Sequence, residues 1–279
     1  MKYFLTRISA ALLLTIIGCA AKPHPITVPL ADASLFVDDG GRRGIPIVFI
    51  HGNGGSAEQW RTQLEHFRAT GRRTIAIDLP GFGHSTAPAS GDVSLAAMAA
   101  AIDHAVQATG VERFIIVGHS YGGAVVAAYA AAHSEKIAGV VYVDAAAAPL
   151  ALTQQQKDQF GAALRANKMT VVRAWFTPML APSSDRVKEQ VFASAERTSA
   201  DILAAALMSL GAYDAKTLIN AYRGPRLAIV ASDLDNPASF QHQFPDIHTV
   251  KISGAGHWLM LDKPEELDAA LDAFVATIS

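Results

Sequence analysis

Residues 114–132 read Phe-Ile-Ile-Val-Gly-His-Ser-Tyr-Gly-Gly-Ala-Val-Val-Ala-Ala-Tyr-Ala-Ala-Ala, and the rest of the chain is apparatus around the serine at their centre. Phe114 to Val117 is a short apolar, β-branched run, as expected of a strand buried on both faces. Gly123 to Ala132 is rich in the residue that most favours helix. Ser120 therefore sits on a strand-to-helix turn. Gly118 and Gly122 flank it at two residues on either side, where a missing side chain lets the backbone bend sharply and holds the hydroxyl clear. The backbone amide of Tyr121, at the helix start, points to where negative charge develops when that hydroxyl attacks a carbonyl. The bare pattern Gly-x-Ser-x-Gly is weak, since composition alone yields it in roughly one chain in ten of this length. Its setting between a β run and an alanine-rich helix, with Gly123 permitting close packing, makes it a candidate nucleophile.

The N-terminus reads as a targeting segment. Lys2 and Arg7 precede an apolar run from Ile8 to Ile17, and Ile16-Ile17-Gly18-Cys19 places a small residue before the chain's single cysteine. That end resembles the lipobox of bacterial lipoprotein signal peptides, which implies cleavage before Cys19 and lipidation of it. The expected localisation is then the bacterial cell envelope, held by a lipid anchor. An ordinary secretory signal, with a periplasmic or secreted product, is the alternative. A spanning helix is disfavoured because the run falls short of the roughly 20 residues a bilayer needs. Residues 1–18 are expected to be removed, and 19–33, with three prolines between Lys22 and Pro29, reads as a tether.

The remaining length, about 260 residues, suits a single α/β domain. An apolar share of 51% supports a large interior. The formal charge of −2, with no basic patch or charged run, argues against nucleic acid as a partner. Ile45 to Ile50 is a strong strand and Ser34 to Val37 a weaker one before it. His51-Gly52-Asn53-Gly54-Gly55 follows, then a helix from Ser56, read as its cap, to Ala69. Glycine directly after a buried strand lets backbone approach a ligand, so the amide of Asn53 is a second candidate oxyanion donor beside Tyr121. Thr74 to Ile77 is the next strand. The loop Asp78-Leu79-Pro80-Gly81-Phe82-Gly83-His84-Ser85 reads as ordered turn structure, with His84 and Ser85 fixing it rather than doing chemistry. Ser94 to Thr109 is a helix and Ile137 to Val143 a strand. Such alternation with short connections is the pattern of a parallel sheet covered on both faces, and right-handed crossovers gather the strand ends at one rim.

From about Ala145 to Tyr222 the alternation gives way to five amphipathic helical stretches broken near Pro178, Pro182 and Gly211. Inserted between strands, they are expected to lie over the strand ends. Trp175, Phe176, Met179, Leu180, Leu203 and Met208 are candidate pocket walls or ordinary packing residues. Arg226 to Ala231 returns to the sheet, leading into Ser232-Asp233-Leu234-Asp235-Asn236-Pro237. His248 to Ile252 is the last strand, followed by Ser253-Gly254-Ala255-Gly256-His257, and Pro264 opens the closing helix. A histidine placed after the last strand completes the order Ser, Asp, His.

His51-Gly52-Asn53, Asp78 to Ser85, Gly118 to Gly123 and Gly254-Ala255-Gly256-His257, in that order, resemble the motifs of the α/β-hydrolase superfamily. The resemblance implies an α/β-hydrolase fold: a mostly parallel sheet flanked by helices, with a core of 34–144 and 223–279 and a helical cap at 145–222. It further implies Ser120 as nucleophile, His257 as base, and the amides of Asn53 and Tyr121 as oxyanion hole. Asp233 and Asp235 compete for the triad acid. Asp233 is preferred because it lies closer to the strand end and its spacing to Pro237 resembles the family's Asp-x-x-x-Pro, although Ala231 or Ser232 replaces the usual preceding glycine. Asp144, ending the preceding strand, is a third option used in some relatives. Serine at the elbow argues against the dehalogenase and epoxide hydrolase branches, whose nucleophile is a carboxylate. The expected activity is cleavage of a carboxylic ester, or related acyl bond, of a small molecule through an acyl-enzyme. Lactone, amide or carbon–carbon cleavage, or a non-catalytic binding protein on this fold, are the alternatives. Nothing calls for a cofactor, and no metal-ligand spacing occurs.

Overall fold

Along each central strand of the computed structural model, which describes residues 24–278, buried apolar side chains alternate between two faces, and that alternation decides what covers the sheet. The strands are β1 (His24–Pro29), β2 (Ser34–Gly40), β3 (Arg43–Ile50), β4 (Arg72–Ile77), β5 (Phe114–His119), β6 (Ile137–Val143), β7 (Arg226–Ala231) and β8 (Thr249–Ile252). They lie in the order β1-β2-β4-β3-β5-β6-β7-β8. The β1–β2 and β2–β4 pairs are antiparallel and the others parallel.

The helices of the first half are α1 (Arg61–Ala69), α2 (Leu95–Ala108) and α3 (Tyr121–Ala132). The insertion supplies α4 (Gln154–Ala166), α5 (Lys168–Phe176), α6 (Asp185–Arg197), α7 (Ala200–Ser209) and α8 (Ala215–Ala221). Three more, α9 (Phe240–Gln243), α10 (Leu259–Asp262) and α11 (Pro264–Val275), follow β7. Val48, Ile50, Ile75, Ile116 and Tyr142 face α2, α3 and α8, whose Met98, Val126 and Ile219 share one core. Ile47, Phe49, Ile115, Val117 and Val141 face α1 and α11, whose Leu64, Phe67, Leu267 and Leu271 share the other. β5, buried at every residue, lies mid-sheet and delivers Ser120 at its carboxyl end.

Three local expectations are corrected. The segment 19–33 is not only tether, because residues 24–29 pair along β2 as an edge strand. Ile26 and Val28 turn toward the core while Pro25 and Pro29 are exposed, which an edge tolerates because one row of N–H groups has no partner to lose. The cap is shorter than 145–222: α8 packs on α3, and its Ala215 and Ile219 belong to the sheet core, so it is a crossover helix. Ser56 stands at the predicted helix start, but its hydroxyl does not cap it. The amide of Ala57 is instead taken at 2.6 Å by the buried carboxylate of Asp78, which also accepts from His84 N at 2.7 Å. The proposed signal peptide and Cys19 lie outside the described residues. Among the described residues no single helix is long and apolar enough to cross a membrane.

The start of α3 is held against the end of β3 so closely that a Cβ on Gly122 would stand 2.4 Å from the carbonyl oxygen of His51 and 2.8 Å from that of Ile50. Both obstacles are backbone and cannot rotate away. Gly122→Ala is therefore expected to lower the unfolding free energy by about 1–3 kcal/mol, read as an earlier urea midpoint; an unchanged midpoint contradicts the packing described.

Candidate active site

Ser120 occupies the turn between β5 and α3 with φ 53° and ψ −119°. That backbone is rare for a residue with a Cβ and persists only where the surroundings enforce it. The enforcement is visible: Ser120 N donates to Val143 O at 3.1 Å, and its carbonyl accepts from Gly123 N at 2.9 Å and Ala146 N at 3.1 Å. The loop after β3 lies alongside, since a Cβ on Gly52 would come within 3.1 Å of the Ser120 Cβ. Asn53 is thereby brought beside the elbow. Among the described residues no acceptor is bonded to the amide N–H of Asn53 or of Tyr121, which leaves both donors available to a ligand oxygen.

His257 is fixed from three directions. Its Nδ1 lies 2.5 Å from Asp144 Oδ2. Its backbone N–H donates to Met179 O at 2.9 Å, and its carbonyl accepts from His119 Nε2 at 2.9 Å. With Nδ1 given to a carboxylate, the ring's other nitrogen is the one available as base.

The acid is where the sequence reading is corrected. Asp233 is exposed, and its carboxylate accepts from Gly254 N at 3.0 Å and from the Ser232 hydroxyl at 3.1 Å. It braces the loop that carries His257 but does not meet the imidazole. Asp235 is engaged with His242 at 2.8 Å and Lys251 at 3.4 Å instead. Asp144 takes the place next to His257 because β6, not β7, neighbours the nucleophile strand, and because its φ of 41° turns the chain back at the strand end. Its amide donates to Ile229 O at 2.8 Å and its Oδ1 accepts from Ala231 N at 3.3 Å, so the end of β7 anchors it. Two non-glycine residues have positive φ among those described, Ser120 and Asp144, and both belong to this site. No sequence signal short of the strand order separates Asp144 from Asp233, since both follow strands and precede the histidine.

The insertion is tied to the loops of the candidate site. Asn53 Nδ2 donates to Leu203 O at 3.0 Å, Met179 O receives His257 N, and the Ser183 hydroxyl donates at 2.7 Å to the Asp262 oxygen that also accepts Gly256 N at 2.9 Å. Of the candidate pocket walls, Phe176, Leu180 and Leu203 are buried core, whereas Trp175 and Met179 are only partly buried. The remaining motif residues serve the frame. His51 donates from Nδ1 to Gly52 O at 2.8 Å and accepts Leu79 N on Nε2 at 3.0 Å. The Ser85 hydroxyl bridges Asp78 O and Phe36 N.

Strand-elbow serine, histidine after the last strand and a strand-end carboxylate define the class of site that the α/β-hydrolase fold carries. The chain belongs to that family: a family model described as alpha/beta hydrolase fold matches residues 45–264. It resembles a non-heme chloroperoxidase from Streptomyces lividans, 37% identical over 155 residues, a match spanning 51% of this chain and 55%, about half, of that protein's length. A 2-hydroxymuconate semialdehyde hydrolase from Pseudomonas putida is 25% identical over 253 residues, covering 84% of this chain and 88% of that one. Among solved structures, an esterase from Thermogutta terrifontis superposes with a TM-score of 0.79 at 23% identity, over 92% of this chain and 99% of that one.

Two predictions arise from this geometry. Asp144→Asn is expected to lower kcat by about 10³–10⁴-fold, and Asp233→Asn by no more than about threefold; the reverse order in a comparison of purified variants contradicts the pairing. The second concerns pH. Burial pushes the imidazoles of His51 and His119 below their ordinary range, the latter well below. The unfolded chain takes up these protons near pH 6.5 while the native state does not, so the stability is complete above that pH and is lost as pH falls toward the native values. Unfolding free energy by urea is expected to drop between about pH 7.5 and about pH 5.5 with a slope of at most about 1.4 kcal/mol per pH unit from each histidine. A flat profile across that window contradicts their burial as neutral rings.

Proposed function

We propose that the protein is a serine hydrolase that cleaves a carboxylic ester, or a related acyl bond, of a small molecule in two acyl-transfer steps. The observation that carries this reading is the 2.5 Å contact between His257 and Asp144, made beside a serine held in a strained elbow. Ser120 Oγ attacks the acyl carbon as His257 Nε2 takes its proton, and Asp144 stabilises the imidazolium that forms. The tetrahedral oxyanion lies between the amides of Asn53 and Tyr121, where each donor contributes on the order of 3 kcal/mol. His257 returns the proton to the leaving oxygen. Water, deprotonated by the same imidazole, then releases the acid and restores the serine. The esterase and hydrolase names of the similar proteins support this class of chemistry.

The Ile16-Ile17-Gly18-Cys19 sequence supports a further part of the proposal, that the working protein is exported and held at the cell envelope by lipid on Cys19. Mass spectrometry of the native N-terminus is expected to show a chain beginning at a lipid-modified Cys19; an unmodified start elsewhere contradicts it.

Hydrolysis of p-nitrophenyl esters of graded acyl length tests the chemistry. Wild-type protein is expected to turn over at least the short esters, with Ser120→Ala slower by about 10⁴–10⁶-fold; equal rates from the two proteins overturn the proposal.

A further inference from the structure

We infer that His119, the residue before the candidate nucleophile, is a positioning residue that holds His257 in register with Ser120 through its own Nε2–H. The inference rests on the assignment of Ser120 and His257 as nucleophile and base, and concerns how their relative placement is maintained.

His119 is buried to 1% exposure. Its Nε2 lies 2.9 Å from the carbonyl oxygen of His257, an atom that can only accept, so the proton of the neutral ring resides on Nε2. Nδ1 is then a bare lone pair, and it is buried with no hydrogen-bond partner. It is directed at the loop after β3, where a Cβ on Gly52 would stand 2.8 Å from it. A second proton on that nitrogen would have no acceptor among the described residues, and would place a cation beside His257. The ring is therefore fixed in one tautomer and remains a donor while His257 gains and loses its proton. Ring packing strengthens the link, with His119 and His257 centroids 4.7 Å apart and Trp258 5.9 Å from the same ring.

This bond has a mechanical meaning. β5 ends at His119 and Ser120 follows it directly, while His257 stands on a loop after β8, three strands away in the sheet order. The Asp144 contact orients the imidazole and reaches the elbow only by way of a side chain at the end of β6, whereas the distance from the backbone of that loop to the elbow calls for a bond of its own. The Nε2–H to carbonyl bond sets that distance directly, from the residue adjoining the nucleophile to the backbone of the base. Gly52 leaves just enough room for the ring, which explains why the loop carrying Asn53 passes so close.

The test compares His119→Phe, which fills the space without a donor, with His119→Gln, which restores an N–H, using the same p-nitrophenyl esters and Ser120→Ala as control. His119→Phe is expected to lower kcat about tenfold or more, the size of one net hydrogen bond, with KM within about twofold. His119→Gln is expected to recover most of kcat. Proton NMR supplies a readout that simple packing does not move: the low-field Nδ1–H signal of the His257–Asp144 pair is expected to be sharp in wild type and His119→Gln and broadened or lost in His119→Phe. Full kcat with a sharp signal in His119→Phe overturns the inference, as does a His119→Gln variant as impaired as the Phe variant. Should Phe prevent folding, His119→Met is the donorless variant, with the same outcomes. An active Ser120→Ala control overturns the assignment of the nucleophile itself, and an inactive control beside unimpaired His119 variants overturns only the role of His119.

Discussion

Asp144 meets His257 because two strands end side by side, and the rest of the site depends on that meeting. β6 lies between β5 and β7, so a carboxylate at its end is one strand from Ser120 and within reach of a loop descending from β8. The price is a left-handed backbone at Asp144, with φ of 41°, matched by φ of 53° at Ser120. Neither conformation would persist in an isolated segment. Both are held by hydrogen bonds that cross between strand ends, Ser120 N to Val143 O and Asp144 N to Ile229 O, so the strain is sustained by the sheet.

The insertion does more than cover the strand ends. Met179 accepts the amide of His257, Leu203 accepts the side chain of Asn53, and Ser183 joins Gly256 on one oxygen of Asp262. The roof is thus bonded to the loop of His257 and to the loop of the candidate oxyanion donor. Its apolar side chains, Phe176, Leu180 and Leu203 among them, pack on the core at the same time. The insertion and the loops that carry Asn53 and His257 are in consequence one packed unit, so the placement of His257 is set together with that of the insertion.

Much of this was legible from residue order. The β-branched run before Ser120 and the alanines after it specify strand and helix by period and propensity, and β5 and α3 stand where they were expected. Gly123 marked a close approach, since a Cβ there would stand 2.2 Å from that of Ala145, whereas Gly122 and Gly52, read as serving a bend and ligand access, also face backbone or ring atoms that leave no room for a side chain. What the sequence concealed was non-local. Asp233 and Asp144 have the same local appearance, an acid at a strand end, and only the lateral order of strands distinguishes them. Residues 24–29 look like a proline-rich tether because pairing along a sheet edge leaves no mark beyond the alternation of Ile26 and Val28. The Ala215–Ala221 helix reads like its neighbours in the insertion, and only its packing on α3 returns it to the core. Ser56 suits a cap by type, yet a buried carboxylate from another loop had already taken the amide.

Locating the covalent bond formed with a reactive phosphonate ester tests the central claim most directly. Peptide mass spectrometry of the inhibited protein should find one phosphonyl group, on Ser120, and a crystal structure of the adduct should show its oxygen between the amides of Asn53 and Tyr121 with His257 still on Asp144. A phosphonyl group on any other residue, or an adduct in which His257 has left Asp144 for Asp233, would contradict the account.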